Sequence, residues 1–162
     1  MIRPTWHDFP PGPTPAAQAT MARERLEFRA FSPGDERHWL DIHHEADHLN
    51  NITDDLYERA FGPLPGNLPA LRQRQLFLWQ ASGGPCVGTV TAWWGHAPWE
   101  HLGRVHWLAL CPAYQSMGLG GALLHACCMR LRELGHVGAY LTTDARRPHA
   151  LRLYERHGFT RV

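Results

Sequence analysis

Residues 106–124, HWLALCPAYQSMGLGGALL, constrain the fold more than any other stretch of the chain. His106 to Cys111 reads as a buried strand, and Gly118 to Leu124 opens a helix. The joint between them carries Gln115, Gly118, Gly120 and Gly121. Glycine inside a helix costs roughly 1 kcal/mol relative to alanine. Three glycines at a helix start therefore mark either a tight structural turn or a place where a ligand approaches the main chain. The first N–H groups of a helix have no partner within it. With the helix dipole behind them, they suit a phosphate.

The familiar phosphate motifs do not match. The chain contains no lysine, so all 16 of its basic residues are arginine. That excludes a catalytic lysine, a Schiff base and a lysine-dependent phosphate loop. Backbone donors at a helix start need no lysine. The dinucleotide fingerprint G-x-G-x-x-G/A also fails, because GLGGAL puts Leu123 where the third small residue belongs. With 15 acidic residues against 16 basic ones, charge makes no case for nucleic acid or an anionic membrane. No apolar run reaches the length of a membrane span, and MIRPTWHDFP lacks the apolar stretch of a signal peptide. Cys86, Cys111, Cys127 and Cys128 have no C-x-x-C spacing, so they read as reduced thiols of a cytoplasmic protein, with no zinc or disulfide framework.

Along the chain, residues 1–24 are rich in Pro and Ala and read as an extended arm or linker. Residues 25–162 read as a single domain. RLEFRAF (25–31) alternates as a strand, and residues 32–48 carry partial helical spacing. TDDLYERAF (53–61) is a helix with Thr53 as its N-cap. Residues 62–74 read as a loop. QLFLWQA (75–81) and CVGTVTAWW (86–94) form a hairpin through SGGP. After the strand 104–110 and the glycine joint, a helix runs to Gly135. VGAYLTT (137–143) reads as a strand, PHALRLYERH (148–157) as a helix, and GFTRV as the start of a last strand. This order predicts a mixed α/β (α+β) sheet with helices on its faces.

Gln115-x-x-Gly118-x-Gly120, after an apolar strand and Pro112, resembles the pyrophosphate motif Q/R-x-x-G-x-G/A of the GNAT N-acetyltransferase superfamily. ALRLYERHGF, Ala150 to Phe159, is similar to that family's closing helix, A-x-x-L-Y-x-x-x-G-F. The resemblance covers about residues 104–160. It implies a strongly bent mixed sheet whose fourth and fifth strands, here 104–110 and 137–143, splay apart around acetyl-CoA. Backbone of Leu108, Ala109 and Leu110 would bind the pantetheine arm. Gln115, Ser116, Met117, Gly118, Leu119, Gly120 and Gly121 would hold the pyrophosphate. Tyr154 matches the family tyrosine, a general acid for the departing thiolate. The implied reaction moves acetyl from acetyl-CoA to a primary amine of a small molecule or peptide, by direct attack in a ternary complex.

Several residues depart from the family pattern. Arg104 stands where many members carry a strand acid. His106, two residues along on the same face, is then the candidate base. Glu100, Asp144 or a chain of waters are the alternatives. Arg147 stands where the family often has Asn, and would reach the cofactor's phosphates or pantetheine arm. HHEADH (43–48) places His44 and His48 on one helix face, but two ligands are too few for a structural zinc. No metal is expected, and this helix would border the acceptor together with Trp99. The sheet edge left by the short C-terminus would be covered by the arm or by the second subunit of a homodimer. The competing reading is a non-catalytic acyl-CoA-binding regulatory module, which Arg104 and the short C-terminus favour.

Overall fold

The computed structural model describes every residue of the chain except Pro4, Pro10 and Pro11. In chain order the elements are β1 (Ile2–Arg3), α1 (Pro15–Arg23), β2 (Leu26–Ala30), α2 (Glu36–Ala46), α3 (Asp54–Phe61), α4 (Leu68–Arg74), β3 (Gln75–Gln80), β4 (Cys86–Trp93), β5 (Gly103–Leu110), α5 (Leu119–Glu133), β6 (Ala139–Tyr140) and α6 (Pro148–Arg156). Among the described residues the strands form one six-stranded sheet in the order β1-β6-β5-β4-β3-β2. β2 to β5 pair antiparallel with their neighbours. β6 lies parallel to β5, and β1 antiparallel to β6. The sheet is therefore mixed, as the order of sequence patterns predicts.

Two apolar cores follow from the alternation of side chains along the strands. Leu76 and Leu78 of β3 and Val90 and Ala92 of β4 pack with Leu119, Leu123, Cys127 and Leu131 of α5. Phe77 and Ala109 belong to the other core, with Trp39 and Ile42 of α2, Tyr57 and Phe61 of α3 and Leu71 of α4. Each such side chain contributes about 1.5–3 kcal/mol on burial. The second core also carries polar groups in matched pairs. The Tyr57 hydroxyl donates to Gln75 Oε1 (3.0 Å), and Gln75 Nε2 donates to Thr91 Oγ1 (3.1 Å). Thr53 caps α3, its hydroxyl accepting from the Leu56 N–H at 3.1 Å.

The structure corrects the sequence reading at four places. The segment expected to be an extended arm contains a strand and a nine-residue helix, α1, and its Pro4, Pro10 and Pro11 lie outside the described residues. Thr14 caps α1 through the Ala17 N–H (3.2 Å), and Pro15 sits in its first turn, where no N–H is needed. Residues 68–74, expected as loop, form α4. Of the expected strand 137–143 only Ala139 and Tyr140 pair in the sheet. GFTRV contributes a single bridge, in which Ile2 and Thr160 exchange two backbone hydrogen bonds of 2.8 Å. The last segment is thus paired by the first.

Two predictions follow from this packing. Removing residues 1–20 takes β1 off β6 and Thr160 and strips α1 from α5, and should lower the melting temperature by roughly 5–10 °C, read by circular dichroism. An unchanged melting point would mean that these residues add nothing to the core. The second concerns His43 and His106, both buried in the second core. Burial pushes them down to about 4 and about 3 respectively. Below pH 6.5 the unfolded chain binds two protons that the native state refuses, so stability falls as pH falls. Between pH 7 and 5 the loss should be about 4 kcal/mol in total. Denaturant unfolding at the two pH values measures it, and His43→Phe should remove about half of it.

Candidate active site

β5 is held differently at its two edges. On one side it pairs with β4 from Arg104 to Leu110. On the other it pairs with β6 only at Gly103↔Ala139 and Arg104↔Tyr140, and then the two strands part. This is the splay expected of segments 104–110 and 137–143. Within β5 the register moves from Thr91↔His106 to Thr89↔Ala109, three residues against two. The extra residue is a bulge, and Trp107 takes a left-handed φ of +50° there. The Cys111 N–H donates to the Val87 carbonyl at 2.8 Å. Alternation then turns Leu110 to the open edge. There its carbonyl accepts the Gln115 side-chain amide at 2.9 Å.

The glycine joint continues from that edge. Gly118, at φ +81°, sits at the N-cap of α5, and Ser116 is also left-handed at +62°. Gly118 is therefore required by backbone conformation. At the next two glycines a neighbouring side chain also limits the space for a Cβ. A Cβ on Gly120 would lie 3.3 Å from Leu153, and one on Gly121 3.2 Å from the His157 ring, both side chains of the α6 end. The Gly121 N–H is used by the Gly118 carbonyl (3.1 Å). Among the described residues, nothing accepts from the N–H groups of Ser116, Met117, Gly118, Leu119 or Gly120. Met117 packs on the first core and Leu119 is fully buried in it, so the loop offers main chain rather than side chains.

A cleft of about 1800 Å³ joins these features. Leu108, Ala109, Leu110, the joint and Tyr154 line it, with Arg3, Arg104, Arg146, Arg147, Arg152 and Arg156 against Asp8, Asp47 and Asp144. An excess of arginine over acid suits a polyanion. Tyr154 is buried, and its phenol is pushed up to about 12 by burial, which the nearby Arg147 charge offsets only in part. Its hydroxyl makes no hydrogen bond to a described residue. His106 packs against the rings of Phe61 (5.5 Å) and Trp93 (6.5 Å), and burial and Arg104 hold it neutral. Arg104 spans the fork itself, with Nη1 near His96 Nε2 (3.1 Å) and Nη2 donating to Thr142 Oγ1 (3.2 Å).

The other sequence candidates fall in different places. The Asp144 carboxylate is taken up by Arg146, whose hydrogen bonds hold it below the usual carboxylate range. Neither Glu100 nor Trp99 is among the residues that line the cleft. Arg147 donates to Asp47 Oδ1 at 2.6 Å, from the start of α6 to the end of α2. Among the described residues no group of three His, Cys, Asp or Glu side chains is placed to hold a metal, and no helix is long and apolar enough to cross a membrane. Two further cleft residues, His43 and Asp47, come from the HHEADH segment. His43 is 2% exposed, and neither ring nitrogen has a hydrogen-bond partner among the described residues. The spacing of that segment does not single out either of them.

Comparison with known proteins agrees with this geometry. The model of the acetyltransferase (GNAT) family matches residues 46–159. A mycothiol acetyltransferase of Acidothermus cellulolyticus is 34% identical over 149 residues, which are 83% of this chain and 44% of that protein. One from Thermomonospora curvata is 30% identical over 142 residues, 84% of this chain and 44% of that protein. The chain thus spans less than half the length of these two relatives. Among solved structures, a GCN5-related N-acetyltransferase of Sphaerobacter thermophilus superposes with a TM-score of 0.70 at 24% identity, covering 97% of this chain and 49% of that one. The ribosomal-protein-S18-alanine N-acetyltransferase of Escherichia coli gives 0.66 at 20% identity, covering 85% and 79%. These two likenesses are of fold. By its family model, its mixed sheet and its splayed strands, the chain belongs to the acetyltransferase (GNAT) family.

Proposed function

We propose that the protein transfers an acetyl group from acetyl-CoA to the primary amine of a small molecule, by direct attack within a ternary complex in the cytoplasm. The observation that carries this reading is the run of N–H groups from Ser116 to Gly120 that have no partner among the described residues, set at the end of an open strand edge in the cleft that Tyr154 also lines. Those donors fit a pyrophosphate. The free edge of β5 from Leu108 to Leu110 fits the amides of a pantetheine arm. The arginines lining the cleft match the charge of CoA. The likeness to mycothiol acetyltransferases favours a small acceptor over a peptide.

When bound, acetyl-CoA supplies an acetyl group already activated on a thiolate leaving group. The chain's own residues then have three tasks. Backbone N–H groups near Leu110 stabilise charge on the carbonyl oxygen. His106, a neutral ring pushed down to about 3 by burial, accepts protons only weakly and would pass the proton of the attacking amine on to water. Tyr154, with its phenol held up near 12, stays protonated and donates to the departing sulfur. Gln115 braces the joint by its hydrogen bond to Leu110.

Two variants test these roles. Gly118→Ala puts a side chain on a left-handed residue and should tilt the N–H cradle, weakening acetyl-CoA binding by about tenfold in calorimetry while the fold persists. Unchanged affinity would place the pyrophosphate elsewhere. Tyr154→Phe keeps the ring and removes the hydroxyl, so turnover with the best amine of a panel should fall about 10²-fold with acetyl-CoA affinity preserved. Full turnover in this variant, with chemistry rate-limiting, would make Tyr154 a packing residue. Acetyl-CoA binding with no turnover of any amine would leave a regulatory module.

A further inference from the structure

Asp47 is the most heavily engaged carboxylate at the cleft. Its Oδ1 accepts from Arg147 Nη2 (2.6 Å), the Leu49 N–H (2.9 Å) and the Asn50 N–H (3.2 Å), and its Oδ2 accepts from Asn50 Nδ2 (2.8 Å). The side chain is 5% exposed, and that of Arg147 is 32% exposed. Burial opposes its charge, but these hydrogen bonds more than compensate and hold its carboxyl below the ordinary value. The neighbouring Arg146 is a contrast. It pairs with Asp144 two residues away, and both side chains are largely open to solvent. Exposed local pairs of that kind contribute little. The Asp47 contact instead joins residues 100 positions apart across the mouth of the cleft.

The place of Arg147 in α6 gives the contact a consequence. It is the N-cap residue of that helix, and Tyr154 lies nearly two turns further on. At the other end of α6, Arg3 Nη1 donates to the His157 carbonyl at 2.9 Å. The helix that carries the phenol is therefore tied at both ends by an arginine. Arg147 and Asp47 line the same cleft as Tyr154 and His43, and the Arg147 charge acts on both of those groups.

We propose that the Asp47–Arg147 pair is a strap across the cleft that fixes the start of α6 against the end of α2 and thereby positions the Tyr154 hydroxyl. Arg147 is then a positioning residue, and its charge is spent on Asp47 rather than on the phosphates of the cofactor. This inference rests on the acetyl-transfer reading for the role of Tyr154, and on the contact geometry alone for the strap.

A double-mutant cycle of Arg147→Met, Asp47→Asn and the double variant tests it, with melting temperature, acetyl-CoA affinity by calorimetry, and kcat and KM as readouts. Each single variant should lower kcat about 10-fold, keep acetyl-CoA affinity within about twofold, and lower the melting temperature. The double variant should be no worse than the poorer single one in kcat or in melting temperature. Arg147→Lys should recover part of the kcat lost in Arg147→Met. If Arg147→Met does not fold, Arg147→Gln, which also removes the charge, takes its place in the cycle. Additive losses overturn the strap. A loss of acetyl-CoA affinity of tenfold or more in Arg147→Met, absent in Asp47→Asn, also overturns it and makes Arg147 a cofactor ligand. If the wild-type protein turns over no amine, the acetyl-transfer reading falls and takes the Tyr154 role with it. The melting cycle and the acetyl-CoA affinities still decide whether the strap exists.

Discussion

Two ladder pairs, Gly103 with Ala139 and Arg104 with Tyr140, hold β5 and β6 together, and beyond them the strands separate. Everything at the cleft depends on that fork. A sheet edge left open inside a protein would normally be a liability, because its N–H and C=O groups need partners. Here the bulge at Trp107 turns the strand locally, and the segment after it runs directly into the glycine joint. Open edge and open helix start are thus consecutive in the chain and contiguous in space. Gln115 locks the two together by bonding back to Leu110.

The fork also explains how the apolar cores divide the work. The core under α5 is mainly aliphatic, with two buried thiols and the rings of Phe9, Tyr154 and Phe159, and Leu119 of the joint is part of it. The core under α2, α3 and α4 is aromatic, with Trp39 against the rings of His43 (4.1 Å) and Trp107 (5.3 Å). The bulge residue is therefore wedged into the aromatic face, against Trp39 and His43. Two histidines lie in that aromatic layer as neutral rings, because burial there disfavours their charge. The cleft thus brings together weakly basic rings from the aromatic layer and a set of arginines.

Much of this was legible in the sequence where the signal is local. The strand-to-helix joint, the Thr53 cap and the helix beginning at Pro148 all rest on short-range chemistry and are found where the spacing predicts them. Helix α1 was hidden because prolines dominate the composition of its segment, yet four of them precede the helix proper and Pro15 occupies a position where proline is tolerated. The strand over 137–143 looked longer than it is because apolar alternation says nothing about whether a neighbour stays alongside. The spacing of the glycines pointed to a ligand, but not to the packing around two of them, since Leu153 and His157, which lie over Gly120 and Gly121, come from a distant segment. Asp47 with Arg147, and Ile2 with Thr160, are long-range pairs of ordinary residues, and no motif spacing can announce them.

An open strand edge also invites other polypeptides, since any extended segment can add to it and begin an aggregate. The β5 edge from Leu108 to Leu110 lines the same cleft as Asp47 and Arg147, whose ion pair joins the end of α2 to the start of α6. A β-strand carries side chains alternately to both faces and needs width on each, whereas an unbranched chain with occasional amides does not. An edge set inside a cleft bridged in this way is harder for another protein strand to reach than for a thin flexible molecule.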